Sequence, residues 1–369
     1  MRKVRFIGLL TSVIMMSFLV AGCSDSDDDA VVSNTITIPV GVMSAGKDVI
    51  IGSNTGTGLN LNGISYAVYV KKADTDYTPA DLEGTWHYKE LLADTEESAE
   101  VNVDEGSIDL VEEMSATIDS TGIVHIPRDG DTTFHAYMGE SKEIIVAATF
   151  DDVDNDGEED GAVSLVVFIK TGSDYDYDTD LLGNWYEESI WHSNPVDDYA
   201  IVDEKGELVF GADGAFSGDF IEYPNETTAT VSGTAELGAA GAVTLTVEDS
   251  VVEGLMSAGK DVFTAVDDSD DVGLLVALKK GDSYDLTDFE GTWYGTSISF
   301  SLSEWYWAEC MWDTISYQGN DQPITDNWAD SDGDSDTETF SDYELTISDD
   351  GLISIIIDLG DNGSGSEPL

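Results

Sequence analysis

The nine residues Gly41-Val-Met-Ser-Ala-Gly-Lys-Asp-Val49 return almost unchanged as Gly254-Leu-Met-Ser-Ala-Gly-Lys-Asp-Val262. The stretches C-terminal to both copies repeat as well. The first copy leads to Tyr66-Ala-Val-Tyr-Val-Lys-Lys72 and Asp81-Leu-Glu-Gly-Thr-Trp86, the second to Leu274-Leu-Val-Ala-Leu-Lys-Lys280 and Asp288-Phe-Glu-Gly-Thr-Trp293. A weaker copy lies between them: Tyr137-Met-Gly-Glu-Ser-Lys-Glu-Ile144, Leu165-Val-Val-Phe-Ile-Lys170 and Asp180-Leu-Leu-Gly-Asn-Trp185. Three copies in one internal order are a repeat. Lysines mark it: Lys47, Lys142 and Lys260 share one position, and Lys71, Lys170 and Lys279 share another.

The periodicity is that of strands. Val243-Thr-Leu-Thr-Val247 alternates with period two, and Gly-bearing breaks such as Gly211-Ala-Asp-Gly214, Gly238-Ala-Ala-Gly241 and Ser257-Ala-Gly-Lys260 read as hairpin turns with glycine at positive φ. In the middle copy Gly139 comes earlier, which predicts a different turn there. The fold class is all-β: three tandem antiparallel meander repeats of about eight strands each. Counted from the hairpin, the repeats span 35–132, 133–249 and 250–360, between an acidic linker at 23–34 and a flexible tail at 361–369. Counted from Gly-x-Trp, half a unit hangs at each end, and the two ends would complete one another in space.

Gly-x-Trp opening such a meander resembles the lipocalin-like barrels. The resemblance implies that Trp86, Trp185 and Trp293 plug barrel ends and that Lys71, Lys170 or Lys279 lies across the indole. The runs Leu274–Leu278 and Val163–Ile169, apolar on both faces apart from Ser164, suit strands covered on both sides. That keeps open a propeller-like stack of sheets, or barrels packed on each other.

Residues 1–22 read as a signal peptide, with Arg2, Lys3 and Arg5 before the apolar stretch Phe6–Val20. Val20-Ala21-Gly22-Cys23 resembles the lipobox of bacterial lipoproteins. It implies acylation of Cys23 by palmitate-type chains, stable membrane attachment and, with Ser24 next, the outer membrane. The 76 acidic residues against 14 basic ones, net −62, exclude nucleic acid as a partner. With Cys23 lipidated, Cys310 has no internal disulfide partner.

Asp152-Val-Asp154-Asn-Asp156-Gly157-Glu-Glu-Asp160 sets alternate carboxylates around a glycine, the oxygen-rich spacing that Ca²⁺ takes. Asp152, Asp154, Asp156 and Asp160 are the expected metal ligands, against the plain reading of a solvated acidic loop. Trp305-Tyr306-Trp307 and Trp312 form an aromatic segment suited to stacking on a sugar or small molecule, or to contact between repeats. His87, His125, His135 and His192 are scattered, and no catalytic motif appears. The expected role is therefore a lipid-anchored structural or interaction module with a protein or glycan partner. Binding of a small molecule or glycan in barrel interiors, or at the Trp-rich segment, is the alternative.

Overall fold

A computed structural model describes residues 35–55, 63–94, 101–127, 132–151, 161–193, 200–223, 226–248, 250–268, 271–301, 308–320, 322–331, 333–340 and 343–358. Cys23, the Asp152–Asp160 loop, Trp305, Tyr306 and Trp307 lie outside them.

The chain forms 24 strands among the described residues. It begins with β1 (Thr35–Met43), β2 (Val49–Thr55) and β3 (Gly63–Lys71). Next come β4 (Thr85–Asp94), β5 (Val101–Asp109), β6 (Thr117–Ile118), β7 (Ile123–His125), β8 (Thr132–Met138), β9 (Ile144–Asp151) and β10 (Ala162–Ile169). These seven make one sheet in the order β5-β4-β10-β9-β8-β7-β6, left open between β5 and β6, which we call the cup. Eight further strands close a barrel: β11 (Gly183–Ser193), β12 (Ala200–Phe210), β13 (Ala215–Tyr223), β14 (Thr227–Leu237), β15 (Ala242–Val247), β16 (Ser250–Met256), β17 (Val262–Asp268) and β18 (Asp271–Lys279). The last six are β19 (Gly291–Ser301), β20 (Ala308–Tyr317), β21 (Ile324–Asp330), β22 (Ser335–Phe340), β23 (Tyr343–Ile347) and β24 (Leu352–Asp358). They share one nine-stranded sheet with β1–β3, because β19 pairs with β3 and β24 with β1. We call this the joined unit.

The sheets therefore divide the chain in the Gly-x-Trp phase, and the division into 35–132, 133–249 and 250–360 is corrected. A cyclic repeat carries no mark of its first strand, and here the N-terminal hairpin completes a unit begun near Gly291. The expected eight strands become seven, eight and nine.

Strand alternation places one face of each sheet inside its own unit. The other face meets the neighbouring units in a shared core that includes Val68, Val70, Leu165, Val167, Val276 and Leu278. Leu274–Leu278 in the barrel and Val163–Ile169 in the cup are apolar on both faces because they are walls covered from outside. Stacked propeller blades are not needed to explain them.

The quoted hairpins join the units in a ring. Ala45 N–H donates to Lys279 O (2.8 Å), Ala258 N–H to Lys170 O (3.0 Å) and Glu140 N–H to Lys71 O (2.7 Å), so each turn caps the last strand of the next unit. All three turns share one geometry: the N–H of Lys47, Lys142 and Lys260 donates to Ser44 O, Gly139 O and Ser257 O. Positive φ falls on those lysines (63°, 61° and 66°) and on neither Gly46 nor Gly259, correcting the expectation for this loop. The displaced glycine of the middle copy thus leaves the turn unchanged. Gly46 answers to crowding instead: a Cβ there would collide with the Asp261 carboxylate, which accepts the Gly46 N–H.

Candidate functional site

Each unit is floored by the same collar. Before its first strand the chain makes one helical turn, at Pro79–Leu82, Tyr177–Leu181 and Leu286–Phe289. Gly84, Gly183 and Gly291 then take positive φ (104°, 117° and 132°), which an L side chain resists, and this swings the tryptophan two residues on back under the sheet. Trp86, Trp185 and Trp293 are essentially fully buried. Their Nε1–H groups donate to Leu82 O, Leu181 O and Phe289 O at 3.0, 2.8 and 2.8 Å. Each of these otherwise orphaned helix-end carbonyls gains a partner.

Both lysine sets serve this collar. Lys170, Lys279 and Lys71 lie 5.0, 5.8 and 5.6 Å from the rings of Trp86, Trp185 and Trp293. Their ammonium groups also donate to Asp81 O (3.2 Å), Asp180 O (2.7 Å) and Asp288 O (2.6 Å). Lys142, Lys260 and Lys47 pair with the carboxylates of Asp81, Asp180 and Asp288 at 2.9, 2.8 and 2.7 Å. Those carboxylates accept the N-cap N–H of their helical turns. Burial opposes the charge on Asp81 and Asp180, yet the lysine and N–H donors hold both below the ordinary carboxyl value.

Above the floor the interiors differ. In the barrel, Phe210, Phe216, Phe220 and Phe263 fill the space over Trp185. Gly206, Gly218 and Gly273 leave room where Phe220 and Trp191 lie flat on the wall. In the cup, a cavity of about 280 Å³ opens instead. Its lining includes Tyr88, Ile108, Met114, Phe134 and Phe168, with Glu90 and Thr149 on the wall. The Tyr88 and Phe168 rings stand 6.1 Å apart at 52°. Tyr88 lies against Gly106, where a Cβ would come within 2.9 Å of the ring, and its hydroxyl donates to Asp104 (3.1 Å). Burial pushes the Glu90 carboxyl above its ordinary value, partly offset by the Ser164 hydroxyl donating to it at 2.6 Å. An apolar cavity with one carboxyl, itself tied to a hydroxyl, can hold an apolar body and orient one donor group on it.

The joined unit is acidic inside. Burial lifts Asp313 to about 7, and burial with the nearby Asp313 and Glu338 lifts Asp326 to about 9.

Trp312 faces outward from β20 and stacks on His135 of the cup, centroids 3.5 Å apart and planes 6° apart, with Phe150 also parallel to it at 5.8 Å. Burial in this contact lowers the His135 imidazole to about 4. Trp312 is thus placed between units and away from the cup cavity. Among the described residues no three His, Cys, Asp or Glu side chains are grouped so as to hold a metal ion. Of the expected metal ligands, none lies in the described segments.

Sequence reasoning did not single out Glu90. The available signal was the alternation Trp86-x-Tyr88-x-Glu90-x-Leu92, which puts an acid on the face of the plug tryptophan.

No family model matches the chain, and no curated protein matches it. Among solved structures it is similar to a protein of unknown function from the DUF3598 family of Nostoc punctiforme, at 10% identity over 83% of this chain and 91% of that one, with a TM-score of 0.19. At that score the likeness carries no inference.

Proposed function

We propose that this chain is a lipid-tethered binding protein of the bacterial envelope whose cup takes a small, mainly apolar molecule. A basic or hydrogen-donating group of that molecule would face Glu90. The observation that supports this reading is the cup itself: its open sheet holds an apolar cavity above the tryptophan floor, with one half-buried carboxyl, Glu90, on its wall. The tether rests on the lipobox-like residues ending in Cys23, and the barrel-interior mode of binding accords with the lipocalin-like form.

Dodecylamine, tested by displacement of the neutral dye Nile red, is the direct probe. It should displace the dye, and Ala162→Trp, which fills the cup, should abolish dye uptake. Equal uptake by that variant would refute the reading. For the tether, metabolic labelling with an alkynyl palmitate should mark the protein and fail in Cys23→Ala.

Residues Asp152–Asp160 lie between β9 and β10 in the sequence, and their carboxylate spacing supports a second, stabilising role for Ca²⁺ there. A higher Tm in millimolar Ca²⁺ than in chelator, at matched ionic strength, is expected. Identical values would remove Ca²⁺ from the account.

A further inference from the structure

A second cleft lies outside the units, between the outer face of β11–β13 and the β1, β2 and β24 strands of the joined unit. Its volume is about 260 Å³, several times the roughly 30 Å³ that a water molecule takes in the liquid. Strand register sets its chemistry: Glu188 is opposite Lys205, and Lys205 is opposite Ile221. From the facing unit, the Ser53 hydroxyl stands 2.8 Å from Glu188 Oε1 and 2.6 Å from Asp203 Oδ2. One hydroxyl thus shares its single proton between two carboxyls. The other oxygens, Glu188 Oε2 and Asp203 Oδ1, are buried with no hydrogen-bond partner among the described residues, and Glu188, 5% exposed, lines the cleft. A buried carboxylate oxygen without a donor is costly unless a ligand supplies one.

Lys205 supplies the opposite charge. Although it is the cross-strand neighbour of Glu188, it forms no ion pair among the described residues, and its ammonium sits 4.3 Å from the Tyr223 ring centroid. The wall also carries Tyr186, Tyr223, Glu187 and Glu207, the last paired with Lys280, and its aliphatic part is Val42, Ile221 and Leu352. Ile221 and Leu352 are among the few large hydrophobic side chains left exposed, at 39% and 42%. An acceptor oxygen without a donor, a cation that feels Glu188 and Asp203 but forms no close ion pair with them, and an exposed aliphatic surface thus meet in one cleft.

We propose that this cleft binds a small zwitterion of the α-amino-acid class. Its ammonium group sits on Glu188, its carboxylate on Lys205 and an aliphatic side chain against Ile221 and Leu352. The site is independent of the cup and of the reading proposed for it.

Isothermal titration of the full chain with L-leucine, leucinamide and 4-methylpentanoate tests it. Leucinamide keeps only the ammonium and 4-methylpentanoate only the carboxylate. Leucine should bind at least about tenfold more tightly than either, since each charged contact contributes more than about 1.4 kcal/mol. Lys205→Met, at a half-buried surface position, should reduce leucine binding to the level of leucinamide. Ala162→Trp in the cup should leave leucine binding unchanged. No heat with leucine, equal binding of leucine and either analogue, or full leucine affinity in Lys205→Met would each overturn the proposal.

Discussion

The cup and the barrel share a floor, a collar and a place in the ring, yet among the described residues a cavity opens over Trp86 in the cup, whereas phenylalanine rings pack over Trp185 in the barrel. The difference begins after the second strand. In the barrel, β12 continues through β13 into β14, and β13 carries Phe216 and Phe220 inward. In the cup the chain passes from β5 through residues 110–116 directly to β6, so that strand and its two rings are missing and the sheet stays open. Tyr88, Met114 and Phe134, which would otherwise be core, are left half-buried around the gap. One missing strand converts packing into a pocket.

The largest expected effect tests the shared floor. Trp86→Ala and Trp185→Ala should each lose about 3–5 kcal/mol of unfolding free energy in denaturant melts. A much smaller loss in the cup would break the equivalence.

The next effect follows pH, because the raised carboxyls lie in and against the barrel and in the joined unit. In and around the barrel, burial raises Glu188 and Glu204 to about 7 and Asp203 to about 6. Carboxyls raised in the folded state stabilise it fully below their unfolded values near 4, and that stability is lost as pH rises through the folded values. With Asp326 included, the window runs from about 4 to about 9. Tm at pH 5 should therefore exceed Tm at pH 8.5 at constant ionic strength, by the equivalent of ~2–3 kcal/mol for the Glu188–Asp203 pair. Glu204→Gln should flatten the slope, and Glu90→Gln should change it less. The lowered carboxyls of Asp81 and Asp180 act the other way, and only below the window.

Smaller again is the collar cation. Lys71→Met, Lys170→Met and Lys279→Met should each cost about 1–2 kcal/mol, from the ring contact and the carbonyl bonds together. Three unequal losses would show that the collars differ despite their geometry. The smallest effect on stability is that of Glu90→Gln, within about 1 kcal/mol, while dodecylamine affinity falls about tenfold. Glu204→Gln in the barrel should leave that affinity alone.

Much of this was legible in the residues. Gly-x-Trp and the matched lysines marked the collars, and two-sided apolar runs marked walls covered by neighbours. The phase was not legible, because β1 finds β24 across almost the whole chain and no local pattern records that pairing. Nor was the burden of positive φ on Lys47, Lys142 and Lys260, where a side chain anchored to an aspartate holds a conformation that sequence rules assign to glycine. Glu90 and Glu188 were hidden by abundance: among 76 acids, the few that face a unit's interior or a neighbouring unit differ from the rest only by strand parity.

The claim that the cup is the binding unit can be read directly from a crystal soaked with 12-bromododecylamine. The account predicts an anomalous bromine peak inside the cup, among Tyr88, Phe134 and Phe168, with the amine toward Glu90. A peak within the barrel, or an empty cup beside ordered bromine elsewhere, would contradict it.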